Sequence, residues 1–206
     1  THSMMQVCFR NNGLVSFLHG IGSQKGVSLH YPMKNGHRTI LMGYACGPKG
    51  IMWFFMNRRD PAGIEARIGY AFTNRELLER ALTRLAYTLE AGLPPEAHMD
   101  ALATLGDAVI NVAVVEAVVM GGAHDKGAIT NRKVNLVNMT RLRGLAEDLD
   151  LADYVRWGKG EAAQTVWTSG RVLAECLEAL IGAVYLDGGM EAAAGVLRRL
   201  GLTERA

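Results

Sequence analysis

The chain has 206 residues, 49% of them hydrophobic, a formal net charge of +2 and three cysteines. That length builds a full core without disulfide support, and Cys8, Cys46 and Cys176 match neither a zinc site nor a disulfide framework, which suits a reducing compartment. Uninterrupted apolar runs such as 51–56 fall far short of the roughly 20 residues of a membrane helix, and no signal-peptide pattern opens the chain, so a cytoplasmic protein without a membrane partner is expected.

Residues 1–63 differ in kind from the rest. They hold nine glycines, seven Lys/Arg and one Asp, whereas residues 64–206 carry a net charge of −4. Polyanion binding by the second segment must therefore use local basic patches rather than overall charge. Short apolar runs such as 39–42 suggest strands, but no fold follows from them. Residues 1–63 are read as an N-terminal extension of unknown fold, poorly ordered or foreign to the natural chain, with Met56 a candidate natural start. Cys8, His19, His30, His37 and Cys46 match no standard metal-site spacing.

From Ile64 onward apolar residues recur at helical spacing, which predicts an all-α domain over 64–206. Thr73 and Glu76 form a T-x-x-E capping box for a helix to about Leu82. Pro94-Pro95 predicts the start of a long helix that stops near Gly121-Gly122. Shorter helices are expected over 128–137, 139–149 and 151–156, then a polar loop over 158–170. A long helix over 171–186 should end at Asp187-Gly188-Gly189, and a last one should run over 190–200.

Two of these helices carry isolated carboxylates in apolar surroundings: Asp107 within 101–115, and Glu175 with Glu178 within 173–186. Residues three apart lie on one helix face roughly 5–6 Å apart, and two charges at that spacing repel by about 3 kcal/mol at an effective dielectric of about 20. Against a stability of roughly 5–15 kcal/mol, such groups call for an arginine, backbone donors, protonation or a metal ion. Asp100 lies two helical turns before Asp107 on the same face. Four such oxygen donors suit Mg²⁺ or Mn²⁺ rather than a thiophilic ion. Gly106 and Gly182 each cost helix stability, about 1 kcal/mol relative to alanine, and so mark a close approach of another backbone.

In order along the chain, Ile68-Gly69-Tyr70-Ala71-Phe72, Glu76-Leu77-Leu78, Ala81-Leu82-Thr83, Leu105-Gly106-Asp107, Asp125-Lys126-Gly127 and Leu136-Val137 are followed by Arg156, Gly158, Gly160 and Glu161. Leu173-Ala174-Glu175 and Glu178-Ala179-Leu180-Ile181-Gly182 close the series. Together these resemble the endonuclease domain of ribonuclease III. The resemblance implies a homodimeric, Mg²⁺-dependent endonuclease of double-stranded or structured RNA, acting in RNA processing such as that of ribosomal RNA. Its products would carry 5′ phosphate and 3′ hydroxyl ends. Asp107, Glu175 and Glu178 match metal-ligand positions, Asp107 and Glu178 as the catalytic pair, with Mn²⁺ able to substitute for Mg²⁺. Asp100 matches a supporting acidic position.

The departures from the family pattern are specific. Ala103 stands where a principal metal ligand is usual, Thr104 where an aromatic packs across the dimer interface, Lys126 where an acid is usual, and Glu175 where aspartate is usual. Compact family members without an RNA-binding module also carry the alanine. The chain is expected to lack that module too, so RNA grip would fall to Asn131, Arg132, Lys133, Arg141, Arg143, Lys159 and Arg171, with Asn135 and Asn138 nearby. A rival reading is a catalytically impaired ribonuclease III-like protein that binds RNA or the ribosome: Ala103 and Lys126 favour it, while Asp107, Glu175 and Glu178 favour the enzyme.

Overall fold

The structure, a computed structural model, describes the backbone of four strands between residues 14 and 55 and all of residues 58–203. It divides into two compact units, Thr1–Arg58 and Arg59–Ala206. In the first, β1 (Leu14–Leu18), β2 (Gln24–Met33), β3 (Gly36–Gly47) and β4 (Gly50–Phe55) form an antiparallel sheet in sequence order. Two residues separate β2 from β3 and β3 from β4, the spacing of tight hairpins, and the register pairs Leu29 with Ile40 and Met42 with Phe55. The run 39–42 lies inside β3. The side chains of Cys8, His19, His30, His37 and Cys46, and the candidate start Met56, lie outside the described residues.

The second unit is helical. It contains α1 (Ala62–Ile68), α2 (Arg75–Ala81), α3 (Leu85–Ala91), α4 (Asp100–Met120), α5 (Lys126–Leu136), α6 (Met139–Asp148), α7 (Lys159–Ala163) and α8 (Gly170–Arg199). Short 3₁₀ turns fill Pro95–Ala97, Leu151–Asp153 and Val166–Thr168. The core is built around α4 and α8, where Leu102, Ile110 and Val114 of one and Leu177, Leu180 and Ile181 of the other are buried. Both helices are long and apolar enough to cross a membrane by length and composition. This corrects the expectation drawn from uninterrupted apolar runs: an occasional polar residue hides a 21-residue helix from that count. In this fold they pack on each other.

Local details revise several predicted boundaries. The cap of α2 is Asn74, whose side chain accepts the Glu76 N–H at 3.0 Å, because the Thr73 N–H is engaged by Asp187 at 2.8 Å. Pro95 opens a 3₁₀ turn, and α4 begins only at Asp100. Residues 158–170 are not all loop, since α7 forms where the Glu161 carboxylate accepts the Gly158 N–H and Glu90 accepts the Lys159 N–H. The predicted helix over 151–156 shrinks to one 3₁₀ turn, because the Arg156 N–H instead donates to the Leu82 carbonyl at 2.7 Å.

The predicted break falls at Asp187-Gly188-Gly189, where α8 joins two helical segments across a kink. Gly189 alone leaves helical geometry (φ 75°, ψ −172°), a conformation open to glycine, and α8 resumes to Arg199. Asp187 anchors this bend by accepting from the Tyr70 hydroxyl (2.7 Å) and the Asn74 N–H (2.8 Å) as well as from Thr73. Burial works to raise its pKa, but those donors outweigh it and hold the carboxyl below its ordinary value. The same contact and burial push the Tyr70 phenol up to about 12.

Candidate active site

The site forms where α4 crosses α8. A Cβ on Gly106 would collide with the Glu178 carbonyl, and one on Gly182 with the Leu102 carbonyl. The two glycines therefore let the helices touch backbone to backbone, as their cost in helix interiors implied. Asp107 follows Gly106 directly, and Glu178 lies one turn before Gly182, so each glycine carries a carboxylate to the edge of the crossing.

Asp107 is exposed, not buried as the apolar run around it suggested, because Gly106 takes the inward position. Its carboxylate accepts the Asn111 amide at 2.9 Å, and its carbonyl accepts the same amide at 2.8 Å. Glu178 is half-buried. Burial first, then the charges of Asp107 and Glu175, push its pKa up to about 7, with Arg171 opposing. The three carboxylates the sequence singled out are thus brought into one electrostatic neighbourhood.

They are not equivalent within it. One oxygen of Glu175 accepts Arg171 Nε at 3.0 Å, and the other lies 3.6 Å from Arg84. Asp100 is exposed at the start of α4, its carboxylate 3.4 Å from His98 Nδ1, and it is not among the charges acting on Glu178. Among the described residues no three His, Cys, Asp or Glu side chains form a ready-made coordination shell. Ala103 is half-buried beside the crossing, and the Thr104 hydroxyl is spent on the Asp100 carbonyl at 3.2 Å.

The basic and amide candidates separate into two groups. Asn131 and Arg132 are exposed on α5, Lys133 is half-buried there, and Lys159 is exposed at the start of α7. Others already hold protein oxygens: Arg141 donates to the Gly201 carbonyl, Arg143 pairs with Glu147 at 2.7 Å, and Arg171 holds Glu175. Asn138 caps α6 by accepting the Arg141 N–H, and Asp125 caps α5 by accepting the Ala128 N–H.

Sequence reasoning missed Arg84 and Asn111. Arg84 pairs with Glu161 at 2.9 Å with only 17% of each side chain exposed, and stands 6.0 Å over the Trp157 ring. Its one local sign was a charge placed directly after the helix-ending Leu82-Thr83. Asn111, four residues after Asp107, carries the spacing of a helical side-chain pair.

A helical domain with carboxylates flanking a glycine-mediated crossing has known counterparts. The ribonuclease-III-like family model matches residues 74–204. A protein of Cupriavidus taiwanensis named Ribonuclease 3 is 36% identical over 138 residues, 66% of this chain and 51% of that protein. A Magnetococcus marinus protein of the same name is 37% identical over 151 residues, 69% of this chain and 61% of that protein. The solved nuclease domain of ribonuclease III from Campylobacter jejuni, described for flexibility in a region involved in dimer formation, superposes with a TM-score of 0.62. It is 28% identical and covers 68% of this chain and 95% of that domain. The chain belongs to the ribonuclease III family. It spans about half the length of the curated relatives it matches.

Proposed function

We propose that this chain is a divalent-metal-dependent endoribonuclease that hydrolyses phosphodiester bonds in double-stranded or structured RNA and leaves 5′ phosphate and 3′ hydroxyl ends. The observation that carries the reading is the pair Asp107 and Glu178, set at the edge of a backbone crossing with Glu178 raised to about 7 by burial and like charge. That excess of negative charge fits a cation. Mg²⁺ is commonly held by one or two carboxylates, with water and substrate phosphate completing its shell, so the lack of a third ready ligand among the described residues is compatible with it.

Asp107, Glu175 and Glu178 are the residues that would hold the ion, Glu175 directly or through water, with Mn²⁺ able to replace Mg²⁺. When bound, the ion supplies a hydroxide nucleophile and stabilises charge on the phosphate. The protein's own contribution is position: Asn111 orients Asp107, while Arg171 and Arg84 orient Glu175. RNA grip falls to Asn131, Arg132, Lys133 and Lys159, with Arg141, Arg143 and Arg171 contributing by exchanging protein oxygens for phosphates.

The protein would act as a homodimer through one face of α4, where Ala101, Thr104, Ala108, Val112 and Val119 are all exposed. Exposed apolar residues in one stripe mark an interaction surface. The buried free thiol of Cys176 suits a reducing compartment such as the cytoplasm, and processing of RNA precursors, ribosomal RNA among them, is the role this activity fits. The rival reading, a catalytically impaired RNA-binding or ribosome-associated protein, draws on the loss of a carboxylate at Ala103 and on the arginines that hold Glu175. A gel assay on a labelled RNA duplex decides between them. Cleavage should require Mg²⁺, spare single strands and vanish in Asp107→Asn and Glu178→Gln; duplex binding without cleavage by the wild type would establish the rival.

A further inference from the structure

We propose that Arg84 is a positioning residue of the carboxylate site: braced by Glu161 and Trp157, its guanidinium fixes Glu175 and thereby sets the protein's affinity for the divalent ion. The inference rests on the metal-dependent reading above and extends it to a residue outside the carboxylate set. Three observations meet on this side chain. Its Nε and one terminal nitrogen lie 3.0 and 2.9 Å from a single Glu161 oxygen, while the other terminal nitrogen is 3.6 Å from Glu175. Its guanidinium carbon stands over the Trp157 ring, 6.0 Å from the ring centroid. It is also the more sheltered of the two arginines on Glu175: 17% of its side chain is exposed, against 79% for Arg171.

The two arginines therefore differ in what they can do. Arg171 forms an exposed i,i+4 pair, a contact of little net strength that solvent and salt screen readily. Arg84 is enclosed and has a planar fork that spans two acids on two different helices, α7 and α8, which a lysine ammonium cannot reproduce. Glu161 is itself fixed, because its second oxygen accepts the Gly158 N–H at 3.2 Å. A chain of contacts thus runs from the backbone before α7, through Glu161 and Arg84, to the Glu175 carboxylate. Groups that orient metal-binding carboxylates in this manner commonly govern metal affinity by about 10–100-fold. Glu175 needs such a brace, since its long side chain carries more rotational freedom than a shorter acid would.

Calorimetric titration of the metal-free protein with Mn²⁺ alone, without RNA, tests this directly. Arg84→Lys keeps the charge and loses the fork, and should weaken Mn²⁺ binding by about ten-fold. Glu161→Gln should weaken it similarly, and the double variant should be no worse than either single one, because both remove the same brace. Cleavage by Arg84→Lys should recover at raised metal concentration, which a variant that is merely less stable would not do; melting temperatures in chelator identify such a variant. Unchanged affinity in Arg84→Lys, tighter binding, or additive losses in the double variant would each overturn the proposal. Wild-type protein that binds no Mn²⁺ would overturn the metal reading of the site, and this proposal with it.

Discussion

Glu178 is harder to ionise in the folded protein than in the unfolded chain, because burial strips water from it and Asp107 and Glu175 repel its charge. A carboxyl raised from 4.5 to about 7 binds its proton more tightly when folded. Its contribution to stability is therefore complete below about pH 4.5 and is lost as pH rises through about 7. A shift of that size corresponds to about 3 kcal/mol, and solvent screening of a half-exposed group reduces it to about 1–2 kcal/mol. In chelator, Glu178→Gln should accordingly be more stable than wild type by about that amount at pH 8 and equal to it at pH 4, as read by urea unfolding. Added Mg²⁺ should raise the wild-type melting temperature and leave the variant unmoved. The carboxylates themselves were legible in the sequence, since charges three apart in an apolar helix stand out. Arg84 was not: its partner Glu161 lies 77 residues away, and no local pattern encodes a pairing made only by tertiary packing.

At the scale of elements, the crossing of α4 and α8 turns on two missing side chains. Gly106→Ala would force a Cβ into the Glu178 carbonyl, so the helices must separate. A loss of about 3–5 kcal/mol is expected, at the upper end of single-site effects. Gly144, inside α6 with nothing within 4 Å of an added Cβ, gives the opposite case. Gly144→Ala should stabilise by about 0.5–1 kcal/mol through helix propensity and a less flexible unfolded chain. Thermal denaturation of the pair separates the two roles of glycine. The sequence revealed the first because glycine flanked by Leu105 and Asp107 in a long apolar helix has no local rationale. It misplaced the α2 cap for a complementary reason. The cap depends on Asp187, which takes the Thr73 N–H, and that contact spans 114 residues.

For the whole molecule, α4 serves two surfaces at once. Its inner side is sealed against α8, while Thr104, Ala108, Val112 and Val119 remain open to solvent on the same helix that carries Asp107. If that open stripe joins two copies, a charge in its middle should separate them. Val112→Asp, at a position 55% exposed in the single chain, is expected to leave the melting temperature within a few degrees and to shift sedimentation from dimer to monomer. A wild-type chain that sediments as a monomer at all concentrations would remove the dimer from the proposal. The helical layout of this unit was readable from periodicity and caps. The four-stranded sheet ahead of it was not, because glycine-rich, mixed-polarity runs such as those in β2 and β3 give no clean alternation.

The glycine crossing also acts as a gauge. Where side chains separate two helices, repacking can change the spacing between them. Here the distance between the Asp107 and Glu178 backbones is set by peptide groups in direct contact, the least compliant contact a protein offers. Under the proposed function, any fit to the radius of a bound ion must then come from the side-chain torsions of Asp107 and Glu178, because the two backbones cannot change their spacing to meet it.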